Sequence, residues 1–72
     1  MFRVVRLAFD KGGQVSSRTV VSIHQTRAAA ETARRAEAAR HKPCDYHAGN
    51  DHWLITYDRG RKHWLIIEGS AE

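Results

Sequence analysis

The last third of the chain constrains the fold most. Trp53-Leu54-Ile55-Thr56-Tyr57 and His63-Trp64-Leu65-Ile66-Ile67 flank the charged segment Asp58-Arg59-Gly60-Arg61-Lys62. Both runs are short, β-branched and aromatic, and a glycine lies between them, so they read as hairpin strands over 53–58 and 62–68. With Arg59-Gly60 as a two-residue loop, Asp58 pairs with Arg61, Ile55 with Trp64, Leu54 with Leu65 and Trp53 with Ile66. One face then carries Trp53, Ile55, Tyr57, Trp64 and Ile66, the other Leu54, Thr56, His63, Leu65 and Ile67. Both faces are apolar, so both need cover.

The rest of the chain supplies cover for one. Phe2 to Phe9 is too short and β-branched for a helix and reads as a strand over 2–9. Asp10-Lys11-Gly12-Gly13 forms a turn in which glycine accepts positive φ. A second strand follows over 15–24, its Ser and Arg content suiting an edge. Thr26 is placed to cap a helix over 27–41, rich in Ala, Glu and Arg and stopped by Pro43. Ala29, Ala33 and Ala36 form its small-residue stripe, extended by Ala28, Thr32 and Ala39 on one side and Ala30 on the other, with Arg27, Glu31, Arg34 and Arg35 opposite and Glu31–Arg35 as an i,i+4 pair. Residues 43–52 are dense in turn formers and read as a connector, and Ser70, Ala71 and Glu72 as a frayed end. The expectation is a single α+β domain over residues 1–72, of order ββαββ: an antiparallel four-stranded sheet packed on one alanine-rich helix. The aromatic face of the hairpin is the one expected against the alanines, since large and small surfaces interdigitate.

Seventy-two residues bury only about 60% of the unfolded surface, so a chain this short needs reinforcement. One cysteine excludes an internal disulfide. No stretch reads as a signal peptide or membrane span, and a reducing cytoplasm is the expected compartment. One helix covers one sheet face, so the other, Leu54, Thr56, His63, Leu65 and Ile67, is expected to meet a second copy or another protein.

Three groups of residues carry chemistry. His41, Cys44, His47 and His52 are zinc-ligand types with two, two and four residues between them, a spacing that lets three meet at one ion; as a helix end and polar loop they need no metal, and no cofactor is otherwise implied. Cys44 beside His47 or His52 matches a nucleophile and base, but no oxyanion element or orienting carboxylate accompanies them, and the chain leaves little volume for a substrate pocket, so an enzyme is not expected. Gly12-Gly13 is too short for a phosphate loop. Twelve Lys and Arg against eight Asp and Glu give a net charge of +4. Arg59, Arg61 and Lys62 at the hairpin tip, with Arg3, Arg6 and Arg18 on the first two strands, outline a surface for nucleic acid, aided by aromatics that stack on bases. The order ββαββ resembles that of several small bacterial domains, a likeness of topology that transfers no residue. The reading is a small non-catalytic binding or regulatory domain acting as a homodimer through protein contacts, with nucleic-acid binding and then a zinc loop as alternatives.

Overall fold

The computed structural model describes residues 1–57 and 61–69. Asp58, Arg59 and Gly60 of the expected hairpin loop, and the expected frayed end Ser70-Ala71-Glu72, lie outside the described residues. The elements run β1 (Phe2–Phe9), β2 (Val15–His24), α1 (Arg27–Ala39), β3 (Cys44–His47), β4 (His52–Tyr57) and β5 (Arg61–Gly69). The fold is α+β, with one helix on a five-stranded antiparallel sheet of order β2-β1-β5-β4-β3.

The fifth strand, β3, corrects the expected ββαββ order. Cys-Asp-Tyr-His is four residues of mixed polarity, too short to show a period, and it becomes a strand by pairing with β4 from Cys44 opposite Ile55 to His47 opposite His52. Ala48 to Asp51 close that hairpin, where Asp51 adopts φ 48° and donates its N–H to Ala48 O at 3.2 Å. Aspartate tolerates this left-handed conformation better than most side chains.

The strand order explains the helix. β2 and β3 lie on opposite edges, so the segment between them must cross the whole sheet, four strand spacings of about 4.8 Å. Thirteen residues of helix, at about 1.5 Å each, are long enough. Thr26 caps it, Oγ1 accepting Ala29 N–H at 3.1 Å. The buried core contains Phe2 and Val4 of β1, Ala30 and Ala38 of α1, Ile55 of β4 and Leu65 of β5, with Ala33, Cys44, Trp53 and Ile67 packed against it.

The helix is rotated about its axis from the orientation its alanines suggest. Ala30, at the margin of the expected stripe, is buried with Arg34 and Ala38, and Ala33 packs against the core, whereas Ala29 and Ala36 are exposed. Alanines lie all round this helix, so small size does not mark a side, and Arg34 has a buried partner described below. Glu31 pairs with Arg27 at 3.1 Å rather than with Arg35.

The β4–β5 register also differs by one residue. Trp53 opposes Leu65, Leu54 opposes Trp64, Ile55 opposes His63 and Tyr57 opposes Arg61, leaving three residues between the last paired positions instead of two. A one-residue shift turns all of β5 over relative to β4. His63 and Leu65, expected on the partner face, are buried at 8% and 0% exposure, and Ile67 packs on the core. Trp64 and Ile66, expected under the helix, share the opposite face with Leu54 and Thr56. The cause lies in β1. It pairs Val4 with Ile67 and Arg6 with Leu65, so the side of β5 that continues the Phe2–Val4 core is the Leu65–Ile67 side.

Candidate functional site

Alternation along each strand places Val5, Leu7 and Phe9 of β1, His52, Leu54 and Thr56 of β4, and Lys62, Trp64 and Ile66 of β5 on the face that α1 does not cover. The pairs Val5–Ile66, Leu7–Trp64 and Leu54–Trp64 join them laterally. β2 adds Val20 opposite Val5 and Ile23 opposite Arg3, with exposures of 42% and 56%. Val5 is fully buried by these neighbours.

A ladder of rings crosses this face. His47 stacks on His52 with centroids 4.9 Å apart and planes at 9°, His52 on Trp64 at 3.7 Å and 13°, and Trp64 meets Phe9 edge to face at 5.1 Å. The rings belong to adjacent strands β3, β4, β5 and β1, so the stack axis runs in the plane of the sheet. Near-parallel rings stacked along that axis stand on edge and present rims, not π faces, to whatever lies above. Burial, reinforced by the nearby His47 and Arg34 charges and opposed by Asp51, lowers the His52 pKa and favours the neutral ring.

The residues expected to contact nucleic acid do not form one patch. Arg3 and Arg18 lie toward the β2 side of the helix-free face, where Arg18 pairs with Glu68. Arg6 is on the helix side, opposite Leu65. Arg61 and Lys62 open β5, with Lys62 Nζ donating to Thr56 Oγ1 at 2.9 Å, and Arg59 lies outside the described residues.

The expected metal set is likewise divided. Cys44 and His47 are three apart on one strand and point to opposite faces, Cys44 toward the core and His47 into the ring ladder. His41 Nε2 lies 3.1 Å from Glu37 Oε2 on the helix end. Among the described residues no three His, Cys, Asp or Glu side chains converge as a metal site. The same division separates Cys44 from both His47 and His52 as a nucleophile–base pair.

Sequence reasoning missed a polar clamp on the helix side, centred on Asp51. Arg34, only 4% exposed, donates from Nη2 to Asp51 Oδ1 at 2.9 Å and from Nη1 to Asp51 O at 2.8 Å. Arg27 Nη2 reaches Oδ2 at 2.6 Å and Tyr46 Oη donates to Oδ1 at 2.8 Å. The Arg34 guanidinium also lies 5.7 Å from the Tyr46 ring centroid. Partial burial would raise the Asp51 pKa, but hydrogen bonds from Arg34, Tyr46 and Arg27 hold it below the usual carboxylate value. Donating to this carboxylate raises the Tyr46 pKa, assisted by partial desolvation and opposed by Arg34. An arginine amid helix alanines was the available signal, but its partner is in a loop 17 residues away. The clamp fixes the β3–β4 turn to α1 and so positions His47 and His52.

Comparison of the chain with models of known protein families, with curated proteins and with solved structures finds no match in any of the three.

Proposed function

We propose that the protein is a small non-catalytic binding domain that acts as a homodimer, two copies stacking their helix-free sheet faces. The observation that carries this reading is that one helix shields one side of the sheet while Leu7, Phe9, Leu54, Trp64 and Ile66 continue an apolar surface across the other. These five are half-buried by their neighbours and Val15, Val20 and Ile23 of β2 are exposed beside them; an apolar sheet face without cover is unusual for an isolated domain. A two-fold axis along the strands favours a second copy as occupant, since it lays the β2 margin of one copy, with the Arg18–Glu68 pair, over the β3 margin of the other, with the exposed Asp45, which extends that pair into an alternating-charge cluster.

Sedimentation velocity between about 10 and 500 µM tests it through mass action. Twice the chain mass is expected for the native protein, and the chain mass for Leu54→Lys/Ile66→Lys with unchanged circular dichroism. A native chain that stays monomeric at the upper concentration overturns the reading.

Nucleic-acid binding ranks second. The net charge of +4 and the basic ends of the strands support it, but upright, mutually stacked rings offer bases little π surface. Titration of labelled oligonucleotides at two salt concentrations separates the readings, since phosphate contacts weaken steeply with salt.

A further inference from the structure

β1 and β5 are paired only as far as Ala8 and His63. Both strands continue past that point without pairing to each other, β1 to Phe9 and β5 back to Arg61. The gap is a cleft of about 530 Å³ lined by Ala8, Phe9, Asp10, Lys11, Ser16, Arg61, Lys62 and His63. Its charge is lopsided. Lys11, Arg61 and Lys62 are exposed cations on its walls, and neither Lys11 nor Arg61 has an anionic partner among the described residues. Lys62 turns the other way, its Nζ donating to the Thr56 hydroxyl of β4, across β5 from the cleft. The one described carboxylate, Asp10, turns back on its own loop, Oδ1 accepting from Gly12 N at 2.9 Å and Gln14 N at 3.0 Å.

We propose that this cleft binds a phosphate monoester through Lys11 and Arg61. A dianion with three acceptor oxygens suits cations on two facing walls better than a singly charged carboxylate does. The volume lies in the range of small-molecule sites and exceeds what a bare phosphate fills. Ala8 and Phe9 provide an apolar wall for the group the phosphate carries, and the Ser16 hydroxyl adds a donor. Phe9 also belongs to the proposed dimer face, but the cations tested, Lys11 in the turn and Arg61 on the helix side of β5, do not, so the two proposals fail separately.

Amide NMR titration of the full chain at low salt, with phenyl phosphate, AMP and inorganic phosphate as probes, tests it. Matched sodium chloride is the blank, and sedimentation of the same samples monitors oligomeric state. Saturating shifts confined to residues 8–11, 16 and 61–63 are expected, with both esters binding more tightly than inorganic phosphate. Lys11→Gln and Arg61→Gln, both at exposed positions, should each weaken binding roughly fivefold, as loss of one exposed charge-assisted contact does. Unchanged affinity in the double variant overturns the proposal. So do shifts spread equally over Arg27, Arg35 and Arg40, or absence of saturation below about 50 mM. Tighter saturation of the same amides by a single-stranded oligonucleotide than by AMP overturns the monoester assignment in favour of a nucleic-acid backbone.

Discussion

Asp51 combines two demands that no other standard side chain meets as well: a left-handed backbone and a carboxylate shared by Arg27, Arg34 and Tyr46. Asp51→Ala loses both and leaves the Arg34 guanidinium buried without its anion. Because Asp51 itself is 41% exposed, solvent screens the pair, and a loss of about 2 kcal/mol is expected instead of the larger value for a fully buried one. Asp51→Asn keeps the backbone preference and an acceptor, so about half that loss is expected in urea unfolding. The lowered Asp51 pKa fixes the pH sense. Its contribution is complete above the ordinary value of 3.8 and disappears as pH falls through the lower folded value, so native unfolding free energy should drop in that acid window more than in Asp51→Asn. Gly69 is a second constrained position. Its φ is +122°, and a Cβ there would run into the backbone carbonyl of Met1. Gly69→Ala should cost about 2 kcal/mol or more, measured by the same unfolding, since neither the backbone angle nor the neighbour can give cheaply.

At the scale of elements, α1 provides a test of which side faces the sheet. Ala38→Leu forces a larger side chain into a fully buried position and should destabilise by about 1–3 kcal/mol. Ala36→Leu, on the stripe the sequence pattern suggests but exposed in the fold, should stay within about 0.5 kcal/mol of the native chain in thermal melts. The contrast also marks how far the sequence could be read. β1, β2, the capped helix and the hairpin runs were legible because periodicity, turn glycines, Thr26 and Pro43 are local signals. β3 was not, since four mixed residues become a strand only through β4. Nor was the rotation of α1, because an alanine-rich helix has no local preference for a side and Arg34 is directed by a distant carboxylate. The composition of the helix-free face turned on one register step. That step was set by β1, about sixty residues earlier in the chain, and Leu54 and Thr56 alone of the expected partner residues remain there.

Across the whole molecule, the ring ladder ties β3, β4, β5 and β1 into one unit with a titratable member. His52 has a lowered pKa, so the folded state prefers its neutral ring. That contribution is fully present above the unfolded value of about 6.5 and is lost as pH falls through the folded one. Melting temperature should therefore decline from pH 7.5 to 5.5, and His52→Phe, which keeps a stacked ring, should flatten the decline. If two copies cover the ladder, the melting temperature should also rise with protein concentration, and Leu54→Lys/Ile66→Lys should abolish that dependence.

The register that separates the tryptophans also gives each an optical environment of its own. Trp53 is on the helix side, 5.3 Å from the Tyr46 ring, while Trp64 lies against an imidazole on the opposite side. A protonated imidazole quenches indole emission, and removal of water around an indole shifts that emission to the blue. In Trp53→Phe the remaining fluorescence reads the charge of His52 and the cover over the bare face; in Trp64→Phe it reads the clamp at the helix. The two sides of the sheet can thus be followed as separate colours in one 72-residue chain.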